Sequence, residues 1–222
     1  MACSRDVIAR PKPIDFVALT LSDSIGPDMS LISKYLNRVR GKRSAEERWN
    51  ERWADPSFHP EPLLEEITHH LVLAGYARVL KPGGALLDAG CGDGEFRPHL
   101  HPDAFSRYVG IDFAEPVARA RKYADARTTF EVSDIRAYTP TAKFDSIVFN
   151  ESLYYIDDAI AELDRYATFL APGGVFLVSL HLKPKTETLW RRIAKRFQMI
   201  DRVTVENAKG VRWMIGAFRP RG

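Results

Sequence analysis

Hydrophobic and polar positions along the chain change their period near residue 85. Before that point, apolar residues recur at every third or fourth position, which predicts amphipathic helices. We expect three of them, at residues 28–40, 44–56 and 61–80. The second begins with Ser44 and Glu47, whose spacing is typical of a capping box, and it must end before Pro56.

After residue 85, short apolar runs alternate with amphipathic stretches, a pattern typical of parallel strands joined by crossover helices. We expect strands at residues 85–89, 108–112, 128–132, 144–150 and 175–181, with helices at about 94–102, 116–124, 156–169 and 186–197. Two final strand-like runs, joined by a short turn around Lys209 and Gly210, predict an antiparallel hairpin. The fold class is therefore α/β, with a doubly wound, mostly parallel sheet and a C-terminal hairpin.

The N-terminal part is organised differently. Residues 1–60 carry helical patterns but too few apolar side chains for a core of their own. We therefore expect them to form a helical lid on one domain made of residues 61–222. The aromatic side chains Tyr35, Trp49 and Trp53 are the candidate contacts of this lid.

The composition excludes several classes of protein. The 32 basic and 29 acidic residues give a net charge of +3, too small an excess to indicate a nucleic-acid partner. Two cysteines do not make a disulfide framework. The first residues lack the apolar core of a signal peptide, and no apolar run approaches the roughly 20 residues that span a bilayer. We expect no membrane partner and a cytoplasmic location.

The candidate chemistry begins with the stretch "LLDAGCGDGEF", in which glycines follow an apolar strand. A dinucleotide fingerprint requires a third glycine where Glu95 stands, and a phosphate-binding loop requires a Lys-Ser or Lys-Thr pair that is absent here. Asp88, at the end of the strand, would repel a phosphate. The loop therefore favours a ligand with a cationic part.

This stretch resembles the first motif of the class I S-adenosylmethionine-dependent methyltransferases, which have a Rossmann-like fold. The similarity extends from Lys81 to about Arg219, and further motifs follow in the family's order at the ends of the next strands. The resemblance implies S-adenosylmethionine as cofactor and S-adenosylhomocysteine as product. It also implies that the loop backbone contacts the methionine moiety while Asp88 orients its ammonium group.

The remaining cofactor contacts follow from the same resemblance. Asp112 would accept both ribose hydroxyls, and Phe113 would cover a face of the adenine. Asp134 and the backbone of Ile135 would lie near the adenine amino group. With Trp53 from the lid, the expected cofactor-binding residues are Asp88, Gly90, Cys91, Gly92, Gly94, Asp112, Phe113, Asp134, Ile135, Asn150 and Trp53.

The segment after the fourth strand bears on the acceptor. Enzymes that methylate nucleobase amino groups carry a Pro-Pro-aromatic sequence there, whereas this chain has "NESLYY", which resembles the small-molecule branch. Glu151 or His181 is the expected general base, assisted by Tyr154, although either residue has a structural alternative as a helix-start or loop residue. Tyr154 and Tyr155 are adjacent, so we expect only one of them to face the substrate.

The segment "RWNERWADPSFH" is weakly similar to the N-terminal part of thiopurine methyltransferase, through Trp49, Trp53, Phe58 and His59. If the segment forms the lid, Tyr35, Trp49 and Trp53 would enclose an aromatic substrate, and Tyr155 after the fourth strand is a further expected substrate contact. The alternative is an amphipathic helix that buries its tryptophans against the sheet.

The resemblance therefore implies a methyltransferase, which we expect to act on N or O of a small metabolite, for example an aromatic or heterocyclic one. Two alternatives stay open: an RNA methyltransferase that uses the basic helix around Arg191 and Lys195, and a non-catalytic cofactor-binding subunit. We expect no metal ion, because the spacing of His99 and His101 would direct their rings apart on a helix.

Overall fold

The computed structural model describes residues 44–55 and 64–221, and every structural statement below refers to these residues. The helix expected at residues 28–40, with Tyr35, lies outside them, as do Phe58 and His59. Residues 44–221 belong to one structural unit. The predicted lid boundary near residue 60 stays a prediction.

Helix α1, Ala45–Ala54, confirms the expected helix around the tryptophans. Its capping box is formed as predicted: the backbone N–H of Glu47 donates to Ser44 Oγ at 3.0 Å, and the Ser44 N–H donates to Glu47 Oε2 at 2.8 Å. The helix ends before Pro56, because a residue that precedes proline is disfavoured in the helical conformation.

Seven strands form one sheet in the described part of the chain. They are β1 Gly84–Ala89, β2 Phe105–Asp112, β3 Thr128–Val132, β4 Phe144–Asn150, β5 Leu170–His181, β6 Gln198–Glu206 and β7 Arg212–Arg219. Their order in the sheet is β3-β2-β1-β4-β5-β7-β6. Strands β1 to β5 are parallel, while β7 pairs antiparallel with both β5 and β6. The predicted fold class and the terminal hairpin are confirmed.

Four more α-helices cover the two faces of this sheet: α2 Leu64–Leu80, α3 Ala114–Ala120, α4 Ala159–Ala167 and α5 Pro184–Arg196. One core layer contains Leu163 of α4 and Trp190 of α5, and the other contains Leu73 of α2 and Val117 of α3. Both layers are needed because parallel strands bury both of their faces. None of the described helices has the length and apolar character to cross a membrane.

The helix expected at about residues 94–102 does not form. The structure has two short 3₁₀ turns there, Arg97–His99 and Pro102–Ala104. Pro98 and Pro102 explain the difference, because proline lacks the N–H that an α-helix needs in its interior and clashes with the preceding turn. The chain after the glycine loop consequently bends back quickly into β2.

The position of β1 determines where a ligand can bind. Strand β1 pairs with β2 on one side and with β4 on the other. The chain therefore continues from β1 toward one edge of the sheet through β2 and β3, and then crosses to the other side of β1 to form β4 and β5. In such sheets a crevice opens at the carboxyl ends of the strands where the order reverses. The glycine loop follows β1 directly at this edge.

Two glycines test how tightly this fold is packed. A β-carbon at Gly216 in β7 would lie 2.7 Å from the Asp201 carbonyl oxygen and 2.9 Å from the Trp190 ring, whereas one at Gly75 in α2 would meet nothing within 4 Å. We predict that Gly216→Ala lowers the free energy of unfolding by about 1–3 kcal/mol. Gly75→Ala should raise it by about 0.5–1 kcal/mol through helix propensity. Urea denaturation measures both, and equal effects would contradict the packing described here.

Candidate active site

A cavity of about 420 Å³ lies at the carboxyl edge of the sheet, where the strand order reverses. Its walls come from α1, α2, the glycine loop, the ends of β2 and β4, and the segments that follow β3 and β4. Thirteen of the predicted site residues line it: Trp49, Trp53, Gly90, Cys91, Gly92, Asp112, Phe113, Asp134, Ile135, Asn150, Glu151, Tyr154 and Tyr155. Its volume is that of a typical small-molecule site.

The glycine loop is a cavity wall made of backbone. Gly90 and Gly92 have φ angles of 82° and 55°, a region that glycine adopts without steric cost. A β-carbon at Gly90 would lie 2.6 Å from that of Ser152, whose hydroxyl donates to the Ala89 carbonyl at 2.7 Å. A side chain at Gly90 would therefore separate β1 from the segment after β4, so the glycine keeps the two together.

Asp112, at the end of β2, connects the loop to the neighbouring strand. Its Oδ2 accepts the N–H of Gly92 at 2.8 Å, and its Oδ1 accepts the N–H of Phe113 at 2.7 Å. Burial raises the pKa of this carboxyl, and the two backbone N–H groups oppose that shift. Because each carboxylate oxygen has two lone pairs, Asp112 can accept further hydrogen bonds from a ligand in the cavity.

The segment after β3 contributes to the wall of the same cavity. The Arg136 guanidinium donates to Asp134 Oδ1 at 2.9 Å, and the Arg136 N–H donates to the same oxygen at 2.8 Å. These hydrogen bonds lower the pKa of Asp134, which is therefore ionised at neutral pH. Ile135 adds an apolar surface beside this ion pair.

Asp88 occupies a different position from the one expected. It is 1% exposed, is not part of the cavity wall, and accepts the Tyr108 hydroxyl proton at 2.6 Å. The reason is strand alternation: Leu87 and Ala89 face one core layer, so Asp88 points into the other, beside Tyr108. Burial raises its pKa to about 7. We expected Asp88 to contact a ligand directly. The structure instead places it beneath the glycine loop, which it supports.

The predicted cofactor contact of Gly94 also differs from the position that the structure gives this residue. It has a φ angle of 82°, but it lies outside the cavity wall. A β-carbon there would lie 3.1 Å from both Ala120 and the Tyr123 ring. Gly94 therefore allows the loop to pack closely on the end of α3.

Glu151 follows β4 and is a second, partly buried acid in the cavity wall, carried by a different strand from Asp112. It has a φ angle of 56°, an unusual conformation for a residue with a side chain, which often marks a functional site. Its carboxylate accepts from the Ser179 hydroxyl at 2.8 Å, the His181 N–H at 2.9 Å and the Tyr154 hydroxyl at 3.0 Å. Burial outweighs these donors and raises the pKa of Glu151.

His181, the other expected base, does not bring its ring into the cavity. Its backbone N–H holds Glu151, while its ring lies 5.8 Å from that of Trp213. Burial and the charge of Lys183 lower the pKa of its imidazole. The structure therefore gives the His181 side chain no place in the cavity. Its contribution to the site is the backbone N–H that donates to Glu151.

The adjacent tyrosines both line the cavity, contrary to the expectation that only one would do so. They lie in a 3₁₀ turn, Leu153–Tyr155, where neighbouring side chains do not point to opposite faces as they do in a strand. Tyr154 donates to Glu151, while the ring of Tyr155 lies 4.6 Å from that of Trp49 in α1.

Part of the cavity wall was not anticipated. Helix α2 contributes Glu66, Ile67, His69 and His70, and the turn after the glycine loop contributes Glu95, Phe96 and His99. His70 lies 4.3 Å from His69 and 5.3 Å from His99 between ring centres. We call His69, His70 and His99 the histidine wall. The pair His69-His70 in an otherwise largely apolar helix was the signal available in the sequence.

The described residues contain no group of three or more His, Cys, Asp and Glu side chains arranged to hold a metal ion. Cys91 is buried in the loop, and burial together with the charges of Asp88 and Asp112 raises the pKa of its thiol. The thiol therefore stays protonated and acts as a small packing group.

Comparison with protein families gives a match over most of the chain. Residues 63–217 match the family described as a methyltransferase domain. The solved structure of the N-methyltransferase NodS from Bradyrhizobium japonicum with S-adenosyl-L-homocysteine superposes with a TM-score of 0.65 at 20% identity, covering 81% of this chain and 100% of NodS. The 1,6-didemethyltoxoflavin-N1-methyltransferase of Burkholderia thailandensis superposes with a TM-score of 0.59 at 19% identity, covering 91% of this chain and 94% of that enzyme. These likenesses support the observed fold.

Curated relatives align over part of the chain. The trans-aconitate 2-methyltransferase of Streptomyces avermitilis is 29% identical over 164 residues, which is 68% of this chain and 61% of that enzyme. A ubiquinone biosynthesis O-methyltransferase of Xanthomonas campestris is 29% identical over 60% of this chain and 58% of its own length. The chain thus spans less than two thirds of the length of these relatives. The weaker similarity to thiopurine methyltransferase stays a prediction.

Proposed function

The chain belongs to the methyltransferase domain family, and we propose that it transfers a methyl group from S-adenosylmethionine to N or O of a small aromatic or heterocyclic metabolite. The observation that carries this proposal is the cavity itself, whose wall combines the glycine loop with the two acids Asp112 and Glu151. Similar proteins named for trans-aconitate, ubiquinone biosynthesis and didemethyltoxoflavin support a small acceptor.

The described residues fit this cofactor. The loop of Gly90 and Gly92 lets a ligand approach the backbone closely, because no side chain intervenes. Asp112 retains acceptor capacity for a ribose diol, and Ile135 offers an apolar surface for an adenine ring. We propose that these residues hold the adenosine end, with Phe113 and Asp134 beside it.

When bound, the cofactor supplies an electrophilic methyl group, whose carbon–sulfur bond breaks as a bond to the acceptor atom forms. The chain then has to align the acceptor and remove its proton. Glu151 suits the second task because three donors leave one of its roughly four lone-pair sites for an acceptor N–H or O–H. Tyr154 orients the carboxylate through its hydrogen bond. Asn150 and Tyr155 line the same cavity.

We also propose that the N-terminal segment acts as a lid, whose described part is α1. Trp53 covers the glycine loop, since a β-carbon at Gly92 would lie 3.2 Å from its ring. Helix α1 is held to α3 by two hydrogen bonds: Arg119 Nη2 donates to the Trp53 carbonyl at 2.9 Å, and the Glu115 N–H donates to Asn50 Oδ1 at 3.4 Å. Such a cover excludes water from the reacting groups.

The RNA alternative relies on the basic helix α5. Arg192 and Arg196 of this helix are bonded to Asp158 and Asp164, which reduces the charge that they offer to phosphates. Steeply salt-dependent RNA binding would favour that alternative. Turnover by the isolated chain would exclude the non-catalytic subunit.

The ribose contact predicts the effect of changing Asp112. Asp112→Ala should weaken S-adenosylhomocysteine binding by at least about 2 kcal/mol, because charge-assisted hydrogen bonds are lost. Asp112→Asn should lie between this variant and the wild type, since its amide keeps one acceptor oxygen. Calorimetry measures the affinities, with the exposed Asp103→Ala at the opposite edge of the sheet as control. Equal affinity of all four proteins would exclude the proposed cofactor position.

The raised pKa of Glu151 predicts the pH dependence of turnover. A base works in its ionised form, so the rate should fall as the pH falls through a pKa above the ordinary 4.5. Glu151→Gln should remove this dependence and lower kcat about 10²–10⁴-fold. Tyr154→Phe should shift the acid limb to higher pH, because it removes a donor to the carboxylate. A Glu151→Gln rate within threefold of the wild type would rule out the proposed base.

The lid predicts a defect when Trp53 is removed. Trp53→Ala should weaken S-adenosylhomocysteine binding about tenfold, which corresponds to about 1.4 kcal/mol, and should lower turnover further. In the wild type, trypsin cleavage at Arg48 and Arg52 should slow when S-adenosylhomocysteine is bound. The exposed Glu46→Ala at the start of α1 is the matched control. Cleavage that is equally slow in both states, with normal Trp53→Ala activity, would make α1 a structural element.

A further inference from the structure

Strand β6 is an open edge of the sheet. It stands last in the strand order, pairs with β7 on one side, and has no strand on its other side in the described part of the chain. It is nine residues long. An edge of this length presents a row of unpaired backbone N–H and C=O groups, which is a template for pairing with another strand.

The turn that follows β6 shows which of its backbone groups face the open edge. The Asn207 N–H donates to the Val211 carbonyl at 2.9 Å, so Asn207 directs its backbone groups toward the β7 side of the hairpin. Residues of an antiparallel strand alternate between directing these groups to one neighbour and to the other. The N–H and C=O groups of Arg202, Thr204 and Glu206 therefore point away from β7, to the open edge.

Strand β7 leads to the same assignment from its other side. The N–H of Leu182, which follows β5, donates to the Arg212 carbonyl at 2.7 Å, so Arg212 directs its backbone toward β5. The next residue, Trp213, consequently faces β6, where its register partner is Val205. Because Val205 faces β7, its two neighbours along β6 face the open edge.

The side chains of the edge-facing residues are also accessible. Arg202, Thr204 and Glu206 are exposed, whereas the two valines between them pack against the core layer of α2 and α3. Arg212 stands opposite Glu206 in the hairpin register. Even so, the side chains of Arg202 and Glu206 form no hydrogen bond or ion pair with any residue that the structure describes. The open edge thus carries a free positive and a free negative charge on either side of Thr204.

The order of these charges selects one register for pairing with a second copy. An antiparallel pair centred on Thr204 places Arg202 of each copy opposite Glu206 of the other. Each of the three opposing pairs then exchanges two backbone hydrogen bonds. Pairs centred on Arg202 or on Glu206 would instead place like charges directly opposite, which is destabilising.

The other edge of the sheet offers no such match. Strand β3 is five residues long, and Glu131 is its one charged side chain. Two copies that paired through β3 would therefore form a shorter ladder and gain no opposite charge. Length and charge order distinguish β6 as the edge that suits a partner.

From the direction of these backbone groups and the order of the charges, we infer that β6 is a homodimer interface. Two copies of this chain pair antiparallel through β6, centred on Thr204, and their sheets become continuous. The interface is isologous, as expected of a twofold dimer. It is also narrow, so the dimer exchanges reversibly with the monomer. None of the described residues that line the cavity belongs to β6, so this inference does not rest on the proposed function.

Sedimentation equilibrium of the full chain measures the dissociation constant of this dimer. The wild type should show a reversible monomer–dimer equilibrium. Arg202→Glu should weaken the dimer at least about tenfold, because two pairs of like charges replace two ion pairs. The double variant Arg202→Glu with Glu206→Arg should return to within about threefold of the wild type, since the charges are exchanged and their complementarity is kept.

A charge reversal on the other edge strand is the matched control. Glu131→Arg changes the net charge by as much as Glu206→Arg does, but it lies on β3. Glu206→Arg alone should weaken the dimer as Arg202→Glu does, while Glu131→Arg should leave the dissociation constant unchanged. Thermal unfolding of the diluted proteins checks that each variant is folded, and exposed substitutions of this kind usually cost little stability.

Amide hydrogen exchange tests the geometry without any substitution. Raising the protein concentration into the dimer range should slow exchange at the N–H groups of Arg202, Thr204 and Glu206. The N–H groups of Val203 and Val205 donate within the hairpin in both states, so their exchange should change much less. This alternation along β6 is expected of strand pairing at the open edge and not of contact through a side-chain face.

Three results would overturn the inference. One is a wild-type chain that stays monomeric up to about 1 mM. Another is a dimer that Arg202→Glu leaves intact, or that the double variant does not restore, because the contact would then lie on another surface. The third is a dimer in which the alternate N–H groups of β6 gain no protection.

Discussion

The hydrogen bond from the Gly92 N–H to Asp112 is the contact on which the site depends. It joins the loop after β1 to the end of β2 at 2.8 Å and holds the glycine backbone beside a partly buried carboxylate. Burial alone would favour the protonated acid, and the backbone donors to Asp112 oppose this effect. The same residue thus shapes the loop and keeps acceptor capacity for a ligand.

A second carboxylate, that of Glu151, belongs to the same cavity wall. Glu151 receives donors from β5 and from the turn after β4, so its position depends on the register of the parallel sheet. The positive φ of this residue lets the side chain turn toward the cavity instead of continuing the strand. Sheet topology, rather than local sequence, therefore brings Asp112 and Glu151 to one cavity from separate strands.

Much of this arrangement could be predicted from the sequence because strand ends carry it. The change of period near residue 85 predicted the parallel sheet, while Asp112 ends one buried strand and Glu151 follows another. The helix expected at residues 94–102 was wrong because Pro98 and Pro102 interrupt it. The ligand contact expected of Asp88 differs from the structure because this strand residue faces the core layer beside Tyr108. The histidine wall was missed because α2 reaches the cavity only through tertiary packing.

The central claim is that the cavity binds the cofactor with its adenosine end at Asp112 and its sulfur toward Glu151. A crystal structure of the full chain with S-adenosylhomocysteine tests it most directly. We predict both ribose hydroxyls within about 3.2 Å of the Asp112 carboxylate, and the sulfur on the side of Asn150 and the histidine wall. Electron density for S-adenosylhomocysteine outside this cavity, or with its adenine against the histidine wall, would contradict the account.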